Sequence, residues 1–462
     1  MELLNVPIQI DPADRRPRYR QIAEAVQAQL RDGQARAGLK LPPARLLAAR
    51  LKVNPGTVVQ AYRFLTAEGW VESRVGSGTF VCERLEDPAP AKPALEERLP
   101  ELFPTATLKR VISHILNTDC ARAFSYDDIA GYPPLLESLR SYLRSAGIEA
   151  GEDELVIFSG AQQGLSVIVQ ALLQRGDWVL VERPTYPGIL RLLQRVGAQV
   201  EAVDLGADGP DLRACERILR TRPVRLFYTM PVYQNPTGIC YSADKKRALL
   251  DLCATHGVTL VEDDSLSDLD YGSGRPLPLR AVAGAGHDLL YLKSLSRLLM
   301  PGFRLGFCLT PPATAARLRR AKEEADLFTS GFFQRVLHLF LRHGYLAEHV
   351  RRLETSERRH FRAALNTAHR VLDPAAFRLL EPAGGPRLWV QLPPGVDPAR
   401  FAMLCIERHL PATPGAEFAP DGSTAGWLSL LFGHVRIPDW ERQLRGLRDA
   451  ARELAERRKV TA

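Results

Sequence analysis

Seven short, nearly uninterrupted apolar segments between residues 155 and 309 constrain this chain more than any other feature. They are LVIFSG (155–160), WVLVE (178–182), QVEAVD (199–204), RLFYTM (225–230), VTLVED (258–263), DLLYLKS (288–294) and LGFCL (305–309). Each has strand length, and stretches of helical length separate them. Strands that are apolar on both faces belong in a sheet covered on both sides, so the alternation predicts a mainly parallel α/β sheet. Ligands of such sheets gather beyond the carboxyl ends of the strands, and the residues just after the segments are therefore the place to look for chemistry. After about residue 380 the order changes. PRLWVQL, the helical FAMLCIERHL, the strand-like WLSLLFG and a charged closing helix over 438–459 predict a smaller α+β lobe. We assign 105–379 to the large domain and 380–462 to this lobe.

The first 84 residues follow a different rhythm. In RYRQIAEAVQAQLR (18–31), Ile22, Val26 and Leu30 fall at i, i+4 and i+8, which predicts an amphipathic helix. A second helix is expected at about 44–51. A third is expected from Pro55 to about Glu68, with Asn54 as its N-cap and proline in its first turn. WVESRVGSGTFVCE then reads as two short strands around a basic, Gly-containing hairpin. Two helices joined by a tight turn and followed by a hairpin outline a winged helix-turn-helix. Charge agrees: residues 1–84 hold 13 Lys and Arg against 8 Asp and Glu, a large share of the chain's net +8. A small basic domain points to a polyanion, double-stranded DNA first. Candidate DNA contacts are Gly56, Thr57, Gln60 and Arg63 on the third helix, Arg45 on the second, and Arg74 and Gly76 in the wing. Glutamine can read adenine through paired hydrogen bonds, and arginine suits a phosphate. Residues 85–104 are expected to be a linker, because LEDPAPAKPALEERLP is rich in Pro, Ala and Glu.

Seven cysteines (82, 120, 215, 240, 253, 308, 405) are scattered, with no CxxC and no Cys/His cluster. That argues against a disulfide framework and a zinc site, and we expect no metal. No run of 18 apolar residues and no signal-peptide core is present, so a cytoplasmic, nucleoid-associated protein without a membrane span is expected.

The strand ends of the large domain carry the remaining signals. FSGAQQGLSVIVQAL (158–172) turns on glycine into a helix whose free N–H groups can cradle a phosphate. ERPTYPG (182–188) puts Tyr186 where a ring could stack on a flat ligand. PVYQNPTG (231–238) offers Asn235 to a ring oxygen. VTLVEDD (258–264) ends a buried strand in acids, and such a carboxylate is costly without a cationic partner such as a protonated ring nitrogen. SLSRLLMPGFRLGF (294–307) presents Ser294, Ser296 and Arg304 to a phosphate.

Two resemblances follow from these motifs. LPPARLLAARLKVNPGTVVQAYRFLTAEGWVESRVGSGTFV resembles the winged-helix domain of GntR-type regulators over residues 16–81, with Pro43 where serine is common and NPG where the turn often carries Ser-Arg. From about 105 to 455 the chain resembles the fold-type I aminotransferases (class I/II), which use pyridoxal 5′-phosphate (PLP). The whole resembles a MocR-type regulator, in which the two are fused. The resemblance implies that Gly160, Ala161 and Gln162 lie at the cofactor phosphate, with Ser294, Ser296 and Arg304 completing its cup. It implies that Tyr186 stacks on the ring, Asn235 contacts the ring 3-oxygen, Asp263 pairs with the ring nitrogen, and Tyr126 reaches the partner subunit's site in a homodimer.

Three positions depart from the family pattern. Arg297 stands where the family has the lysine that holds the cofactor covalently. A guanidinium stays protonated and is no amine nucleophile. Ser265 stands where a tyrosine contacts the ring oxygen, and Ser429 where an arginine clamps a substrate carboxylate. Lys293 lies nearby but on the wrong side of the Ser-x-Ser turn. The expected function is a DNA-binding transcriptional regulator whose aminotransferase-like domain serves dimerisation and effector binding without catalysis. PLP, a related vitamer or an adduct would bind non-covalently. The alternatives are a PLP-dependent aminotransferase carrying a vestigial DNA-binding domain, which turnover would reveal, and a ligand-free DNA-binding scaffold, which indifference to PLP would reveal.

Overall fold

A computed structural model describes residues 8, 10, 11, 14, 16–31, 38–74, 77–82, 103–284, 286–433 and 435–461, with side chains as far as 456. The chain divides into two compact units, Met1–Leu95 and Glu96–Ala462. Most of the expected linker, and Gly76 in the wing, lie outside the described residues.

In the first unit, α1 (Arg18–Arg31), α2 (Ala44–Leu51) and α3 (Pro55–Ala67) precede the antiparallel pair β1 (Val71–Arg74) and β2 (Gly78–Val81). The core is the one the helical periodicity predicts. Ile22, Val26, Leu47, Val58, Ala61 and Leu65 are all buried, while Leu46 and Val59 are exposed. Asn54 caps α3 by accepting from the Gly56 amide (2.7 Å), and Pro55 fills the first turn. Lys52 ends α2 in the left-handed conformation, which reverses the chain between the two helices. The Tyr62 hydroxyl donates to the Pro42 carbonyl (2.7 Å) and ties α3 to the segment entering α2. That segment also pairs with β2: the Leu41 amide donates to Thr79 and the Val81 amide to Leu39.

The second unit is built on an eight-stranded sheet. Its strands are β3 (Leu155–Phe158), β4 (Trp178–Arg183), β5 (Gln199–Gly206), β6 (Gly209–Pro210), β7 (Val224–Thr229), β8 (Thr259–Asp264), β9 (Leu289–Ser294) and β10 (Gly306–Leu309). The order is β3-β10-β9-β8-β7-β4-β5-β6. The run from β9 to β5 is parallel, and β10 lies antiparallel to both β9 and β3. Central strands are buried along their length because separate clusters pack on the two faces. The 27-residue helix Tyr345–Val371 leads out of this body. A four-stranded antiparallel sheet then follows, formed by β11 (Arg378–Leu380), β12 (Arg387–Gln391), β13 (Ala412–Pro414) and β14 (Trp427–Leu431) in the order β11-β12-β14-β13. The closing helix Ile437–Thr461 seats Trp440 in the core, fully buried, with its indole N–H on the Ala364 carbonyl. Among the described residues no helix is long and apolar enough to cross a membrane, and no cluster of His, Cys, Asp or Glu is placed to hold a metal ion.

Candidate functional site

A cavity of about 240 Å³ opens beyond the carboxyl ends of β4, β7, β8 and β9. The sheet topology brings into its lining residues that lie more than 130 positions apart in the chain. Ala161, Gln162, Tyr186, Asn235, Asp263, Ser294, Ser296 and Arg304, all anticipated from the sequence, line it. Gly160 does not line the cavity but caps the helix Ala161–Leu172 that faces it. Its φ of +92° is open to glycine, and a Cβ there would lie 2.8 Å from the Arg304 guanidinium. Arg304, itself left-handed, donates to the Ser159 carbonyl (3.2 Å). The start of a helix, two serine hydroxyls and a guanidinium therefore converge on one end of the cavity, a set of donors suited to a phosphate.

Tyr186 donates to the Gln162 side chain (2.9 Å), and Gly188 makes room for its ring, since a Cβ at 188 would lie 2.2 Å from Tyr186 Cε1. Asn235 has its Oδ1 buried and unpartnered, an acceptor waiting for a donor. The loop that carries it hangs on Glu182, a carboxylate that sequence reasoning missed. Glu182 accepts from Thr229 (2.7 Å), from the Met230 amide (2.6 Å) and from Gln234 (2.8 Å), and Gln234 also donates to the Pro184 carbonyl (2.7 Å). The loops bearing Tyr186 and Asn235 are thus held by one buried acid.

The three acids at the end of β8 receive three different solutions. Strand alternation turns Asp263 to the cavity and Glu262 and Asp264 away from it. Glu262 caps the short helix Leu279–Val282 by accepting from the Leu279 and Arg280 amides (2.6 and 2.8 Å), and burial pushes its carboxyl up to about 8. Asp264 meets Lys293 Nζ at 2.8 Å. Burial alone would raise it, but the ammonium and the hydroxyls of Ser267 and Tyr291 hold it below the ordinary value. Asp263 accepts from the Tyr228 hydroxyl (2.7 Å), and burial pushes it up to about 6. Asp263 is a buried carboxylate facing the cavity, and a cation there would stabilise its charged form.

Lys293 is fully buried between Asp264 and Asp268, at 2.8 and 2.6 Å, on the face of β9 away from the cavity. Among the described residues no lysine lines the cavity, and Arg297 does. Tyr126 is not in the cavity of its own chain. It is 81% exposed, with its ring edge against Phe328, beside the exposed Phe124 and Leu327. Arg387 also lines the cavity, although PRLWVQL, the segment that carries it, was read only as part of the small lobe.

In the first unit, Gly56, Gln60 and Arg63 form one exposed face of α3, Thr57 is half-buried at its edge, and Arg45 is exposed on α2. Arg74 is exposed in the wing but already paired with Glu72 and stacked over Phe80 (4.9 Å). Lys40, absent from our candidates, joins Arg63 in a groove between α3 and the wing. Its stem lies against Gly78, where a Cβ would clash at 2.5 Å.

Known families match both units. The family described as bacterial regulatory proteins, gntR family, matches residues 18–81, and aminotransferase class I and II matches residues 101–430. The chain belongs to the aminotransferase class I and II family and carries a gntR-family domain ahead of it. It has the MocR-type architecture. It is 27% identical to the uncharacterized HTH-type transcriptional regulator YdfD of Bacillus subtilis, over 96% of this chain and 98% of that one. It is 29% identical to the probable rhizopine catabolism regulatory protein MocR of Rhizobium meliloti, over 73% and 74%. Among solved structures, LysN, an α-aminoadipate aminotransferase of Thermus thermophilus complexed with N-(5′-phosphopyridoxyl)-L-leucine, is 30% identical. That alignment covers 77% of this chain and 90% of LysN with a TM-score of 0.72. In this MocR-type chain the residues fit the cofactor of the fold. The Gly160–Arg304 cradle, the orphaned Asn235 oxygen and the buried Asp263 carboxylate present what a phosphate, a hydroxyl and a protonated ring nitrogen require.

Proposed function

We propose that the protein is a DNA-binding transcriptional regulator whose aminotransferase-like domain holds a pyridoxyl phosphate compound non-covalently, as an effector, and does not transaminate. The observation that carries this reading is the lysine-free cavity, with Arg297 lining it and Lys293 committed elsewhere. PLP, when bound, supplies the electron sink for amino-acid chemistry, but that chemistry needs an amine to attach the cofactor and move protons. Arg297 can do neither. What the chain retains is recognition. Gly160, Ala161, Gln162, Ser294, Ser296 and Arg304 hold the phosphate, Tyr186 covers the ring, Asn235 takes the ring hydroxyl, and Asp263 meets the ring nitrogen. The homodimer that the fold favours would use the exposed aromatics around Tyr126. Ligand binding changes DNA affinity only through different affinities for two states of the protein.

Titration of the full chain with PLP and with pyridoxamine 5′-phosphate, followed by ligand absorbance and thermal unfolding, tests the reading. Both should stabilise the protein, and gel filtration should strip both away. Turnover of amino and 2-oxo acids would overturn the non-catalytic reading, and indifference to both ligands would overturn the effector reading.

Asp263 makes the pH dependence specific. Burial pushes its carboxyl up to about 6 in the ligand-free site, so below that pH a ligand with a protonated ring nitrogen must also displace a proton from Asp263 to form the pair. Affinity for pyridoxamine 5′-phosphate should fall accordingly in calorimetry between pH 8 and 5. Asp263→Asn should bind roughly tenfold to a hundredfold more weakly at pH 7.5. Its pH profile should flatten to the contribution of the ligand phosphate, which ionises near pH 6.

On DNA, Arg45→Ala should weaken binding to any duplex and lower the slope of log K against log salt by about one. Gln60→Ala should cost about 1–3 kcal/mol of discrimination against unrelated sequence. Arg74→Ala should do less than Arg45→Ala, since Glu72 already pairs with that guanidinium. Fluorescence anisotropy across a salt series measures all three, and unchanged affinity and slope in Arg45→Ala would overturn the placement of the DNA on this face.

A further inference from the structure

The family's carboxylate clamp is missing at Ser429, yet the cavity has gained a guanidinium from the neighbouring strand. Arg387 opens β12, and Ser429 lies on β14 opposite Trp389, so residues 387 and 429 are diagonal neighbours on one face of the small sheet. Diagonal neighbours lie roughly 7–8 Å apart, within reach of a long side chain. Arg387 Nη1 donates to the Ser429 hydroxyl (3.1 Å), and Ser429 is fully buried behind it. A serine at 429 thus leaves room for the guanidinium and orients it, where an arginine at 429 would compete with it in both volume and charge.

The same guanidinium lines the cofactor-sized cavity and a smaller annex of about 40 Å³ that shares Asn235, Ser265 and Arg297 with it. Gly384 and Gly385 form the far wall of the annex. No larger residue fits at 384, where a Cβ would lie 2.4 Å from the Tyr233 ring. Serine at 265, where the family carries tyrosine, removes the bulk of a ring from the mouth of the annex. The lining therefore has two cationic ends, Arg304 with the helix start at one and Arg387 with Arg297 at the other, and a single carboxylate, Asp263, along its side.

We propose that Arg387 is the anchor of a carboxylate subsite, and that the ligand of this cavity is a preformed condensation adduct of the cofactor aldehyde with an amino acid, anionic at both ends. The inference rests on the non-covalent pyridoxyl-phosphate reading above and names its ligand class. An arginine fork matches a carboxylate with paired hydrogen bonds, one face of the guanidinium being already positioned by Ser429. A chain that cannot build such an adduct on a lysine can still recognise one made elsewhere, where the amino group of an amino acid condenses with the cofactor aldehyde to an imine and releases water; phosphopyridoxyl amino acids are its stable reduced mimics.

The test uses three stable ligands on the full-length protein: N-(5′-phosphopyridoxyl)-L-leucine, its decarboxylated analogue, and pyridoxamine 5′-phosphate. The wild type should bind the leucine adduct at least about tenfold more tightly than the decarboxylated analogue in calorimetry. Arg387→Met should bring that ratio close to one, with a larger loss for the leucine adduct than for pyridoxamine 5′-phosphate, and Arg387→Lys should restore part of it. Equal affinity of the wild type for adduct and analogue would overturn the carboxylate subsite alone. A uniform loss for all three ligands in Arg387→Met would also overturn it, by making Arg387 a structural residue. Failure of the wild type to bind any of the three would overturn the pyridoxyl-phosphate reading, and the subsite with it.

Discussion

Lys293→Met should destabilise the aminotransferase-like domain by roughly 3–5 kcal/mol, the largest stability effect expected of any single replacement near the site. The lysine is fully buried, with Asp264 at 2.8 Å, Asp268 at 2.6 Å and the Ser267 hydroxyl at 2.9 Å around its Nζ. Tyr142 and Tyr291 donate to the same two carboxylates. Removing the cation leaves buried acids without their charge partner, a cost that the gained methionine packing does not offset. The acid limb of the stability profile should change as well. Asp264 has its folded value below the ordinary one. Its contribution is therefore present above the unfolded value of roughly 4 and lost as pH falls through the lower folded value. Lys293 is raised, against burial, by Asp264 and Asp268, so its contribution is present below the ordinary lysine value and lost only in strong alkali. Urea unfolding of wild type and variant from pH 3 to 8 should show the difference shrinking as the acids protonate. A variant as stable as wild type at pH 7 would mean that the pair does not hold the sheet together. The same geometry predicts that Lys293 does not react with PLP: borohydride reduction of the wild type with PLP should leave no pyridoxyl label at this residue.

Arg297→Lys should convert transient ligand binding into covalent retention. The cavity already offers what the rest of the cofactor needs, with Ser294, Ser296, Arg304 and Asp263 in its lining. A lysine at 297 would put an amine among them, on the turn that follows β9. The variant should hold PLP through gel filtration with a visible absorbance band that the wild type lacks, and the band should be fixed by borohydride. Turnover should remain far below that of a working transaminase. Ser265 lacks the family's phenol, and the family's arginine at 429 is a fully buried serine behind Arg387. Arg297→Ala should gain no band, which separates the chemistry of the amine from the removal of a guanidinium. A variant that binds PLP no longer than wild type would overturn the view that the cup remains fit for the cofactor.

Much of this arrangement was legible in the chain. Seven apolar segments predicted seven strands, and each was found within about two residues of its expected ends, because strands buried on both faces leave a continuous apolar signature. The helix ends of the first unit were legible from Asn54 and Pro55, a local capping rule. The cavity residues stood out because they follow strand ends in short polar motifs. The parts that were not legible all depend on pairing across the chain. VEDD reads as three equivalent acids, and only the register of β8 against β9 gives Asp264 its lysine. Glu182 sits inside an apolar segment and shows no sign that it gathers Thr229, Met230 and Gln234 from another strand end. Arg387 was passed over because a lone arginine at the start of a strand is ordinary, and its reach toward Ser429 exists only in the small sheet.

The sequence by itself determined the two-part architecture, the winged helix and its capped recognition helix, the sheet, and the absence of a lysine after Ser-x-Ser. These are matters of residue type, local periodicity and short motifs, which act within a few residues of one another. Tertiary structure alone decided which buried charges are compensated and which wait for a ligand. Coulomb pairing and desolvation depend on distance and burial rather than on spacing along the chain. That is why Lys293, which the sequence shows beside the cofactor turn, belongs to the core, and why Arg387, which it does not, belongs to the site.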